Sequence, residues 1–125
     1  MRILRLPHRR AVAADLLALL AFVTVGLVNH DGHVSATGYA RDFLPFAACW
    51  LVAAGTFDLY RRPRLRAFLA TWVLGIVGGV LVRALVRLHI DGGDAVFAAV
   101  ALAFTLLFVV AFRIAASAVA RPRVG

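Results

Sequence analysis

The chain has 125 residues, 63% of them apolar, and its formal charge of +8 is carried by arginine, with no lysine and no glutamate. That composition excludes an ordinary soluble domain. At about 20 residues per span the length holds about four membrane helices as a single domain and leaves no room for a soluble catalytic domain beside them.

The arginines stand at the ends of apolar runs, where the positive-inside rule accounts for them, so no nucleic-acid partner is expected. The alanine- and arginine-rich, lysine-free composition points to a GC-rich bacterial genome, and the cell (plasma) membrane of a bacterium or archaeon is the expected location. Cys49 stands alone in an apolar run and cannot form an intrachain disulfide; it reads as a small core residue.

The amino-terminal flank holds Arg2, Arg5, Arg9 and Arg10 beside His8, which predicts a cytoplasmic amino terminus. The first span is predicted over about 11–29. A cleaved signal peptide is disfavoured there, because the apolar run exceeds signal length and carries Asp15. A polar connection over residues 29–42, with His30 and His33, is expected outside.

The second span is predicted over about 43–60, with Pro45 in its first turn, where the missing amide proton breaks no helical bond. Arg61, Arg62, Arg64 and Arg66 follow it as a cytoplasmic loop. The third span covers about 67–89, and the short turn from Asp91 to Asp94 leads into the fourth, about 95–118. So short a turn makes the third and fourth helices antiparallel neighbours. The arginine distribution predicts both termini inside, with Tyr39, Phe43, Tyr60 and Trp72 as interfacial aromatics. The expected fold is thus an all-α, antiparallel four-helix membrane bundle.

Four features carry the functional reading. Gly75 and Gly79 have the small-xxx-small spacing that lets a neighbouring backbone approach closely, either within the chain or across a homodimer. Arg83 lies inside the third apolar run, about one turn short of its outer end, with Arg87 one turn further on the same face. The plainer reading is that both snorkel or pair with Asp42, Asp91 or Asp94; the sharper one is that Arg83, Arg87, Arg41 and His30 form an outward-facing site for an anionic ligand.

Asp15 on the first helix and Arg113 on the fourth match in depth to within about a turn, which predicts an intramembrane ion pair fixing helix register. Asp58 is a competing partner for Arg113, and proton or ion relay is the alternative role. His30, His33 and Asp31 share one loop but are too few for a specific metal site, so no metal and no cofactor are expected.

No nucleophile elbow, phosphate loop, dinucleotide fingerprint or zinc-protease motif occurs. Asp15 and Asp58 lack the aspartate-rich spacing that holds magnesium on a diphosphate, so an enzyme acting on lipid or isoprenoid is also disfavoured.

Asp15, Gly26, His30, the Pro45-Phe46 pair, Arg83, the Phe97 region and Arg113 together resemble the domain of unknown function 3054 family, small four-helix membrane proteins of bacteria and haloarchaea. The resemblance covers nearly the whole chain. It departs at Leu27, where family members tend to carry an arginine. It implies the four-helix membrane fold and brings no activity with it. The expected function is that of a non-enzymatic accessory or scaffold subunit, with membrane lipid and a membrane-protein partner or homodimer as its company. The alternative is a small transporter or channel with an anion site around Arg83.

Overall fold

The computed structural model describes residues 2–4, 6–87 and 92–119, with backbone alone at Arg2, His30, Asp31, 86–87, 92–95 and 119. It is all-α: a short 3-10 turn at Arg2–Leu4, then α1 (His8–Asp31), α2 (Ala36–Thr56), α3 (Leu65–Arg87) and α4 (Gly92–Val119). Three stretches are long and apolar enough to cross a membrane, His8–Asn29, Leu65–Leu85 and Val96–Ala118. α2 falls short of that mark because Arg41, Asp42 and Pro45 interrupt its apolar character.

Local chemistry sets the helix ends. α1 stops at Gly32, whose φ of 76° is the left-handed conformation that glycine adopts without a Cβ clash, and whose N–H donates to the Val28 carbonyl at 3.1 Å. The Ser35 hydroxyl then accepts from the Gly38 N–H at 3.0 Å, satisfying an orphan amide of the next helix. With this cap in place α2 begins at Ala36 rather than near residue 43, so most of the polar connection expected over 29–42 is helical.

Pro45 consequently lies inside α2, not in its first turn, and cannot donate to the Arg41 carbonyl four residues back. The far end also differs from expectation. α2 stops at Thr56, and Asp58 turns the chain with a φ of 53°, a conformation aspartate tolerates better than most residues. Leu59 is thereby buried and Tyr60 folds back against the bundle instead of ending a span.

α2 packs most extensively on α3, and α1 on α4. The glycine face of α3 explains the first contact. A Cβ at Gly75 would stand 3.0 Å from the Trp50 Cα, and one at Gly79 would stand 2.5 Å from the Phe46 ring. These two glycines are what lets α2 approach, and their face is filled by the chain's own helix.

Phe46 and Trp50, buried by that approach, meet Phe22 of α1 and Phe68 of α3 edge-on at 6.0 and 6.4 Å between ring centres. Trp72 of α3 donates its indole N–H to the Leu102 carbonyl of α4 at 3.0 Å.

Candidate functional site

Every long element contributes to a cluster at the end of the bundle where α1 begins. Asp15 lies two turns into α1 and Arg113 lies late in α4, and both are buried. Arg113 Nε donates to Asp15 Oδ1 at 2.7 Å and its Nη2 donates to Oδ2 at 2.6 Å, a two-pronged pair. Its Nη1 donates to the Ile3 carbonyl at 2.8 Å, and its guanidinium lies 5.1 Å from the centre of the Phe68 ring.

The Tyr60 hydroxyl donates to Asp15 Oδ2 at 2.6 Å while accepting from Trp50 Nε1 at 2.9 Å. The carboxylate therefore accepts three hydrogen bonds and the two aromatic donors are both used. A buried charge pair in such a setting stands only if its remaining donors and acceptors are satisfied, and here they are.

A second cluster lies toward the opposite end. Asp42 Oδ1 accepts from Arg83 Nε at 2.9 Å and from Arg41 Nε at 2.9 Å, and Oδ2 accepts from Arg41 Nη2 at 3.0 Å. The Arg83 guanidinium also lies 4.5 Å from the centre of the Phe97 ring. Two guanidinium groups thus meet on one carboxylate.

Of the four residues expected to form the outer site, the structure brings Arg83 and Arg41 together on Asp42; the side chains of Arg87 and His30 lie outside the described residues. Asp91 and the side chain of Asp94, the other expected partners of Arg83, also lie outside them. Arg113 meets Asp15, and Asp58 turns away in the α2–α3 connection. Among the described residues no group of three or more His, Cys, Asp or Glu stands close enough to hold a metal ion.

Trp50, Tyr60 and Ile3 are the participants the sequence reading missed. Trp50 carries a signal that could have found it, since a tryptophan inside a helix-packing run needs an acceptor for its N–H. The Ile3 carbonyl carries none.

The family model described as "Protein of unknown function (DUF3054)" matches residues 12–116, a stretch that includes Arg41, Arg83 and Arg113 and their carboxylates Asp42 and Asp15. The chain belongs to the DUF3054 family. No curated protein and no solved structure matches it. In this DUF3054 chain the two clusters are thus the polar chemistry around which any function has to be argued.

Proposed function

We propose that this DUF3054 protein is a non-enzymatic integral membrane protein that serves as an accessory or scaffold subunit of a larger membrane assembly. In this reading four antiparallel helices cross the cell membrane with both termini in the cytoplasm. α2 has 21 residues, about 31 Å at the helical rise, enough for a fourth span. The antiparallel arrangement is supported by pairings whose residue numbers rise on one helix as they fall on the other: Asp15 with Arg113 and Phe22 with Phe108, then Phe46 with Gly79 and Trp50 with Gly75.

The observation that carries the reading is that each of the two deep guanidinium groups already meets a carboxylate of its own chain. Such charges hold helices in register rather than line a path. α4 meanwhile turns Val96, Val100, Phe104, Leu107 and Ile114 outward, an apolar face suited to lipid or to partner helices.

Detergent-free purification of the tagged full chain from its native membrane, followed by quantitative mass spectrometry, tests this. A membrane protein recovered in stoichiometric amount supports the subunit reading; the chain recovered alone, as monomer or oligomer, contradicts it.

A second reading has its own support in the convergence of Arg41 and Arg83 on Asp42. A small transporter or channel would use those arginines to collect an anion. Gradient-driven anion flux into liposomes that is lost in Arg83→Ala is its test.

A further inference from the structure

The end of the bundle where α1 begins is strongly basic. Arg9 and Arg10 lie in the first turn of α1, Arg61, Arg62 and Arg64 in the α2–α3 connection and Arg66 in the first turn of α3, all of them exposed. The edge-on contact of the His8 and Tyr60 rings, 5.6 Å between centres, ties that connection to the start of α1. Among the described residues none of these six guanidinium groups has a hydrogen-bond or ion-pair partner. Little acid is left to answer them. Asp15 is held by Arg113, Asp42 lies with Arg41 and Arg83 toward the other end, and Asp58 remains in the connection.

Arg10 differs from the other five in standing on a groove. Ala13 and Ala14 of α1 and Ala115 and Ala116 of α4 carry side chains too small to fill the seam between their helices, which leaves an open trough of about 280 Å³. Arg10 lines it toward the start of α1, and Leu17, 52% exposed, lines it seven residues further on, so it runs about 10 Å along the helix. Arg10 is the charged residue of the lining, and the rest is apolar.

We infer that this trough is a site for one anionic phospholipid of the leaflet at that end, with an acyl chain over the alanines and the phosphate on the Arg10 guanidinium. An arginine stem lies along apolar surface while its head reaches the headgroup level, and its fork matches phosphate oxygens. Chemistry separates this occupant from the others. Free inorganic phosphate satisfies Arg10 and leaves the alanines bare. A neutral phospholipid carries its own ammonium beside the phosphate and has less to gain from Arg10. A second copy seated on this face about a two-fold axis would set Arg10 opposite Arg10, with no acid in the trough between them.

The site rests on the membrane-spanning reading above and is independent of whether a protein partner exists. Its test uses the full chain in phosphatidylcholine nanodiscs doped with phosphatidylglycerol or phosphatidylcholine spin-labelled on the acyl chain, read as the motionally restricted fraction. Phosphatidylglycerol is expected to be preferred about fivefold, the effect of one arginine acting on an anionic lipid. Arg10→Gln should remove that preference. Arg64→Gln, at the same end but outside the lining of the trough, should leave it unchanged. Ala13→Leu and Ala115→Leu, both at exposed positions, each fill the trough and should abolish the preference with thermal unfolding unchanged.

Equal restricted fractions for the two lipids, or a preference undiminished in Arg10→Gln or in both leucine variants, overturns the site. A preference that falls as far in Arg64→Gln as in Arg10→Gln reports diffuse attraction to the basic end and overturns it too. So does displacement of the labelled lipid by inorganic phosphate, or cross-linking of two copies through Ala115→Cys in a Cys49→Ala background. A spectrum with no restricted component from either lipid overturns the membrane-spanning reading and the site with it.

Discussion

Arg113 and Asp15, 98 positions apart in the chain, close a two-pronged ion pair at 2.6–2.7 Å with side chains 1% and 0% exposed. The pair ties the start of the first helix to the end of the last. Removing one partner leaves an uncompensated buried charge, which costs about 3–5 kcal/mol. Asp15→Asn and Arg113→Met are each expected to lower stability by that order, measured by thermal unfolding in nanodiscs. The double variant Asp15→Leu with Arg113→Met should recover most of the loss, because it leaves no orphan charge. A double variant as unstable as the sum of the singles contradicts the pairing.

Tyr60 relays between that carboxylate and Trp50, so its hydroxyl serves two partners at once. Tyr60→Phe leaves the Trp50 N–H without an acceptor in a buried site and should cost about 1–3 kcal/mol. Trp50 fluorescence is expected to shift with it, since the indole loses its hydrogen bond.

Thr71 is the counter-case. It is fully buried on α3, and its hydroxyl is the buried side-chain polar atom left without a partner among the described residues. Thr71→Val keeps the shape and removes the unsatisfied group, so stability should rise by about 1 kcal/mol. A loss of stability would mean that the hydroxyl has a partner in the working protein.

The glycines of α3 and α1 should respond in opposite ways. An added Cβ at Gly75 meets the Trp50 backbone, which cannot swing aside, so Gly75→Ala should cost about 1–3 kcal/mol by forcing α2 and α3 apart. At Gly26 a Cβ meets nothing, and Gly26→Ala is expected to stabilise α1 by about 0.5–1 kcal/mol through the helix propensity of alanine. Thermal unfolding of both variants in one lipid system checks the contrast.

How far the sequence anticipates these contacts depends on the distance over which regular geometry holds. The depth match of Asp15 and Arg113 is legible because a helix rises uniformly and both residues lie inside unbroken apolar runs. The closeness signalled by Gly75 and Gly79 is legible for the same reason, although spacing alone leaves open whether the neighbour is α2 or a second copy.

Tyr60 is not legible. Its place depends on a left-handed turn at Asp58 that reverses the chain, and a sequence rich in apolar residues up to Leu59 reads as continued helix. The early start of α2 was within reach through Ser35, a good cap. The histidines and charges of residues 29–42 masked it by resembling a loop. That shift of start is also what puts Asp42 on a helix facing Arg83, one of three acids the sequence offered as its partner.

In the subunit reading the deep arginines, each paired with a carboxylate of its own chain, hold helices together instead of lining a pathway. Purified protein reconstituted at high density into liposomes, under an imposed chloride, phosphate or proton gradient, addresses it most directly. Flux no greater than from protein-free liposomes is expected. Gradient-dependent flux that rises with protein density and disappears in Arg83→Ala would contradict it.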